Sequence, residues 1–180
     1  MRIVAGTLRG RTLVAPPGWD TRPTSDRARQ ALFDMLLHAP WGGRDVLAGA
    51  RVLDVFAGTG ALGLEALSRG AGHAVFVEKD RAALATLRAN IAGCRAEGRC
   101  TVLAADALTL GSGHPCGFVF LDPPYGRGLI PLAIARLRAG GWIGPDALVV
   151  AETGRDEPAL DVVPIAERTH GAARLTIWRG

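Results

Sequence analysis

The chain predicts an α/β fold: a mostly parallel sheet covered by helices on both faces and closed by an antiparallel hairpin. Three observations predict it. From residue 51 onward, short apolar runs (RVLDVFA, HAVFVE, CTVLAAD, GFVFLD, ALVVAET) alternate with helical segments. Each run is apolar at successive positions, the pattern of a strand buried on both faces in a parallel sheet. The last two runs, Val162 to Arg168 and Arg174 to Arg179, are separated only by THGAA, which leaves no room for a crossover helix.

The elements follow in order. Residues 1–15 read as a short hairpin, RIVA and RTLVA joined by a turn around Gly6 to Gly10, and Pro16, Pro17 and Gly18 stop it. After Arg22-Pro23, Thr24 or Ser25 can cap a helix whose apolar face carries Ala28, Ala31, Leu32, Met35 and Leu36. Pro40, Gly42 and Gly43 end that unit. In the core, ALGLEALSRG closes at Gly70, DRAALATLRANIAG opens on Asp80, and LIPLAIARLRAGG closes at Gly140 and Gly141. Between Asp106 and Gly117 the Gly/His/Pro-rich stretch predicts an irregular crossover. With 180 residues there is room for one domain, so residues 1–45 are expected to be an appendage packed against a core spanning 46–180.

Composition narrows the function. There is no signal-peptide core and no apolar run of the ~18 residues a membrane span needs, so a cytoplasmic monomer with no membrane partner is expected. Cys94, Cys100 and Cys116 form no C-x-x-C pair and no zinc spacing with the four histidines. Reduced, inert thiols and no metal are expected. The net charge of +4 lies wholly in residues 1–29, where six arginines face two aspartates; beyond them acids and bases balance. Arginine's planar fork suits phosphate, so Arg9, Arg11, Arg22, Arg27 and Arg29 are candidates for a polyanion-binding segment.

The unusual residues lie where strands are expected to end, the place where doubly wound sheets bind ligands. After the first come Asp54, Phe56, Ala57, Gly58, Thr59 and Gly60, with Gly63 completing G-x-G-x-x-G. Such a turn lets backbone approach a ligand and presents helix N–H groups to it, but any adenosine-bearing cofactor can use it. Glu78 lies 18 residues past Gly60, where an acid can accept both ribose hydroxyls. Asp106 either caps a turn or accepts from an adenine amino group. LDPPYG then follows a buried run. Its two prolines fix the backbone and aim Asp122 into the strand-end cleft, with Tyr125, the only tyrosine, just beyond.

That corner suits one reaction class. The lone pair of an exocyclic amine on a nucleobase is delocalised into the ring. The Asp122 carboxylate and the Pro123 carbonyl can each accept one amine hydrogen and hold the nitrogen out of conjugation, while Tyr125 stacks on the base. The electrophile that fits is the methyl of S-adenosylmethionine, with its ribose on Glu78, its methionine part over Gly58 to Gly60, and Asp54 near its ammonium. A nicotinamide is excluded by the lack of a substrate domain and of a hydride-transfer acid.

Together, DVFAGTGALGLEALSRG, the Glu78 strand end, LDPPYGRG and the upstream RGR…RPTSDRARQALF resemble the RsmD family of 16S rRNA guanine-N2 methyltransferases, over essentially the whole chain. The resemblance implies a Rossmann-like class I methyltransferase sheet of seven strands with the last antiparallel. It also implies S-adenosyl-L-methionine as cofactor and methyl transfer to N2 of a guanine (nucleotide 966) of 16S rRNA in an assembling small subunit. Carried over by position, Asp122, Pro123 and Tyr125 form the catalytic set. Thr24, Asp54, Phe56, Ala57, Gly58, Gly60, Glu78, Lys79, Asp106, Ala107 and Asp122 form the cofactor set. Arg127 is expected to border the target pocket. Gln30 stands where the family usually has Glu, and the chain starts almost at the hairpin, without a longer N-terminal extension. A DNA adenine-N6 methyltransferase is the alternative, since the acid-proline-proline-tyrosine motif serves there too.

Overall fold

The computed structural model describes residues 1–16, 26–43 and 45–180. Thr24, Arg22 and the expected helix cap at Thr24 or Ser25 therefore lie outside the described residues. Seven strands form one sheet in the order β3-β2-β1-β4-β5-β7-β6. They are β1 (Arg51–Val55), β2 (His73–Glu78), β3 (Cys100–Ala104), β4 (Cys116–Leu121), β5 (Ile143–Gly154), β6 (Ala166–His170) and β7 (Ala173–Arg179). The first five are mutually parallel, and β7 inserts antiparallel between β5 and β6. The order reverses between β1 and β4, and that switch opens a cleft at the carboxyl ends.

Among the described residues four α-helices cover the sheet: α1 (Asp26–His38), α2 (Ala61–Ser68), α3 (Arg81–Gly93) and α4 (Leu129–Ala139). Strand residues alternate between two cores. Val52, Phe76, Phe118, Phe120 and Val150 point to the side of α1, α2 and α3, where Phe33 meets Phe120 with ring centroids 5.7 Å apart. Leu53, Val75, Val119, Leu121 and Val149 point to the side of α4, with Leu137, Trp142 and Trp178. Because both faces are apolar, the strands read as continuous apolar runs. Asp80 caps α3 as expected, accepting from Ala83 N at 2.8 Å. The 106–117 crossover is irregular and carries no helix. None of the described helices is long and apolar enough to cross a membrane.

Two expectations are corrected. The N-terminal hairpin contains a single antiparallel bridge, Arg2 with Thr12, extended by backbone hydrogen bonds such as Leu13 N to Met1 O. Its strands are too short to form a longer ladder, and the segment is held instead by side chains of the core. Secondly, α1 buries Arg29, Leu32, Phe33 and Leu36, whereas Ala31 is exposed. The packing face is rotated towards Arg29 because a buried acid, Glu65 on α2, lies opposite it. Glu65 Oε2 and Oε1 accept from Val4 N at 2.8 Å and Ala5 N at 3.1 Å. The same carboxylate pairs with Arg69 Nε at 2.8 Å and Arg29 Nε at 3.5 Å. Arg69 also lies over the Phe33 ring, 5.0 Å from its centroid. This network joins the N-terminal arm, α1 and α2 in one polar knot.

Candidate active site

Register builds the site. Val55 pairs with Val77 of β2 and with Leu121 of β4, and Leu121 pairs with Ala151 of β5. The next rung at the carboxyl ends therefore carries Glu78, Phe56, Asp122 and Glu152 side by side. Three of these four were singled out in the sequence. Glu152 was not, although it ends the apolar run of β5 just as Asp122 ends that of β4.

On the β1 side, the chain turns sharply into α2. Phe56 adopts φ 63°, a region costly for a side chain with a Cβ, and Gly60 takes φ 78° at the helix N-cap. Gly63 allows close approach: a Cβ there would lie 2.4 Å from the Phe76 ring. That contact lets Gly63 N donate to Asp54 Oδ2 at 2.9 Å. Glu78 is pinned by backbone, Oε2 accepting from Gly58 N at 2.8 Å and Oε1 from Lys79 N and Asp80 N at 2.7 Å each. Asp54 is buried, and burial pushes its pKa up to about 8, with the Asp122 and Glu78 charges adding to the rise. Burial and two neighbouring acids thus disfavour the ionised form of Asp54, and a cationic ligand would relieve it.

This has a measurable signature. In the unfolded chain Asp54 ionises near 3.8, so between about 4 and 8 the folded protein holds one more proton than the unfolded one. Asp54's share of stability is therefore full below about pH 4 and is lost as pH rises through about 8. Thermal melts of the ligand-free protein should fall more between pH 6 and 8.5 for the wild type than for Asp54→Asn. Parallel pH curves for the two would remove this account of Asp54.

Next to Glu78, Lys79 Nζ pairs with Asp106 Oδ2 at 2.8 Å, and Leu108 N donates to Asp106 Oδ1 at 3.0 Å. The lysine's hydrogen bond holds the Asp106 pKa below its ordinary value, with the Leu108 N–H adding to it. Asp106 thus caps its turn and stands at the edge of the cleft at once, with Ala107 buried beneath.

On the β4 side, Pro123 is buried while Pro124, Tyr125 and Gly126 face outward. Tyr125 is 44% exposed, so the corner faces solvent, away from the protein interior. Its hydroxyl donates to Glu152 Oε1. Burial raises the phenol's pKa, and the Glu152 contact raises it further. Gly126 N and Gly154 N both donate to Glu157 Oε1, at 3.0 and 2.8 Å, tying the corner to the end of β5. Between them opens a cleft of about 130 Å³ walled by Pro123, Tyr125, Leu129, Pro131, Glu152 and Leu160.

Among the arginines expected to meet a polyanion, Arg9, Arg11, Arg27 and Arg127 are exposed. Arg29 is not, and this is a correction. Its side chain has no exposed surface; Nη2 pairs with Asp26 at 2.9 Å and also donates to the Arg2 carbonyl. A guanidinium that is itself buried and held by these partners cannot meet phosphate. Asn90 is a structural link that the sequence did not single out. Its Oδ1 accepts from Val14 N at 2.9 Å, while Nδ2 donates to Val14 O at 3.0 Å and Thr59 O at 2.9 Å. One polar residue among several in α3 offers no local signal for such a long-range clamp.

A seven-stranded sheet with β7 reversed, a glycine turn after β1 and an acid-proline-proline-tyrosine corner after β4 define a class I methyltransferase. The family described as conserved hypothetical protein 95 matches residues 1–179. The chain belongs to that family, the RsmD family its motifs resemble. Ribosomal RNA small subunit methyltransferase D of Escherichia coli (strain K12) is 42% identical over 166 residues, which cover 91% of this chain and 79% of the relative. The solved structure of yhhF from Escherichia coli superposes with TM-score 0.85 at 38% identity, covering 99% of this chain and 97% of the other. The fold is also shared with an RNA methyltransferase from Salinibacter ruber in complex with S-adenosyl-L-homocysteine. That match has TM-score 0.63 at 16% identity and covers 87% and 92% of the two chains.

Proposed function

We propose that this protein transfers a methyl group from S-adenosyl-L-methionine to the exocyclic N2 of a guanine in 16S rRNA. The observation that carries the reading is the position of Asp122. It occupies the rung between the glycine turn and the Tyr125 cleft, and its charge is felt by Asp54 on one flank and Tyr125 on the other. A group placed there can touch an amine entering from one side and an activated carbon held on the other. The relative named as a small-subunit rRNA methyltransferase supports rRNA over DNA as the nucleic acid, and the adenine-N6 alternative loses ground accordingly.

The acidic cluster fits the cofactor. Glu78 and Asp122 both lie close enough to disfavour the ionised form of Asp54, and S-adenosylmethionine brings an ammonium and a sulfonium. In this reading Glu78 takes the ribose, Gly58 to Gly60 the methionine part, Asp54 the ammonium side, and Lys79, Asp106 and Ala107 the adenine. When bound, the cofactor supplies a methyl carbon already activated by sulfur, which keeps the C–S bonding pair as the carbon departs. The Asp122 carboxylate and the Pro123 carbonyl each accept a hydrogen of the incoming amine and hold its lone pair on the line of attack. Tyr125 fixes the plane of the base. The single proton that nitrogen must shed leaves through Asp122 to water. Orientation of two reactants supplies most of the acceleration, so no strong base is needed.

A cation beside Asp54 favours its ionised form. Binding of S-adenosylmethionine near pH 7 should therefore release protons, and affinity should rise with pH towards about 8. Arg9 and Arg11 are proposed to meet RNA phosphate, within an assembling small subunit. Replacing both with Ala should make the negative slope of log affinity against log salt shallower by about 1.5, since each phosphate contact contributes about 0.7–0.9. An unchanged slope would dismiss that role.

The decisive experiment incubates the protein and methyl-labelled cofactor with small-subunit particles, free rRNA and duplex DNA, then analyses nucleosides by mass. Labelled N2-methylguanosine from rRNA is expected. Label appearing only as N6-methyladenine in DNA, or in no nucleoside, overturns the reading.

A further inference from the structure

We propose that Glu152 identifies the target base as guanine, its carboxylate accepting the base's N1–H while Asp122 attends the neighbouring N2 amine. The inference rests on the guanine reading above and adds how that base is chosen. Ala151 of β5 and Leu121 of β4 are paired, so Glu152 stands one strand away from Asp122 on the same rung. Glu152 forms part of the wall of the cleft that opens beside Tyr125, and Pro123, the residue after Asp122, forms another part of it.

The chemistry of the base edge gives this placement its meaning. Guanine presents an N1–H donor immediately beside its N2 amine. Adenine presents an unprotonated ring nitrogen beside its N6 amine. An ionised carboxylate is acceptor-only, with about four lone-pair directions on its two oxygens. Next to Asp122 it completes the donor row of guanine and opposes the lone pair of adenine, so it selects one base and repels the other. The Tyr125 hydroxyl donates to Glu152 Oε1, which orients the carboxylate. Glu157 plays a different part. Its Oε1 already accepts from the Gly126 and Gly154 backbone, so it braces the wall on which Glu152 is mounted.

The test replaces the target guanine, in the rRNA that the wild type methylates, by 2-aminopurine. This base keeps the C2 amine but carries a lone pair at N1. Wild-type kcat/KM should favour guanine by about 10⁴-fold, as for a site built to pair a donor that the analogue lacks. Glu152→Gln, whose amide can donate to the analogue's N1, should narrow that ratio by about tenfold or more, with cofactor affinity unchanged. Tyr125→Phe keeps the ring and drops the hydroxyl, and should narrow the ratio less. The proposal is overturned if the wild type uses both bases equally, or if folded, cofactor-binding Glu152→Gln keeps the wild-type ratio. Failure of the wild type to form any methylguanosine would instead bring down the guanine reading itself, and this inference with it.

Discussion

Asp122→Ala should lower kcat by about 10²- to 10⁴-fold while S-adenosylmethionine still binds, because a positioned group that orients and deprotonates an amine contributes on that scale. The loss should fall on the chemical step. Single-turnover rates should drop, and calorimetric affinity for the cofactor should stay within a few-fold. Asp122→Asn, which keeps one acceptor oxygen and loses the charge, should lie between. A second readout separates catalysis from folding. Asp122 helps to raise the pKa of Asp54, so its removal should shift the Asp54 titration down from about 8. If Asp122→Ala turned over within a few-fold of the wild type, the enzymatic role given to the β4 corner would be lost.

Glu65→Ala should cost about 3–5 kcal/mol of stability, the usual range when one partner of a buried ion pair is removed. Two arginines with side chains of 0% and 5% exposure would lose their buried counter-charge at once and keep only the more exposed Asp26 and Asp34, and the N–H groups of Val4 and Ala5 would lose their acceptor. Against a total stability of about 5–15 kcal/mol this is a large share. In a domain of this length it should lower Tm by roughly 10 °C. Glu65→Gln keeps an acceptor oxygen but turns an amide towards guanidinium donors, and should fall between. Denaturant melts check both, and a loss under 1 kcal/mol for Glu65→Ala would show that the network is not under mutual dependence.

The core strands were legible because each is buried on both faces and so carries an uninterrupted apolar run. The acid-lined end of the sheet was legible because each acid follows an apolar run in the sequence. Asp54, Glu78, Asp106 and Asp122 all stand at the carboxyl ends. The same rule applied to ALVVAET points to Glu152, so that residue was readable and overlooked. Arg29 was misread for a different reason. A count of charges treats an arginine as solvated, and its partner Glu65 lies far along the chain on another helix. Only the tertiary packing of α1 on α2 decides that this guanidinium is internal. Asn90 falls in the same category, since Val14 and Thr59 reach it from separate parts of the chain. The short N-terminal ladder was overstated because a turn signal reports a reversal of direction, not how many backbone pairs follow it.

The Asn90 clamp bears on how this molecule can be re-engineered. Cutting away the first fourteen residues would strip a buried amide of Val14's two hydrogen bonds and bare a carboxylate on α2 in the same stroke. A pared-down catalyst is thus better sought by trimming at the outer strand β6, where four of five side chains already meet solvent. Fusion partners likewise belong at that rim, leaving the opposite terminus untouched.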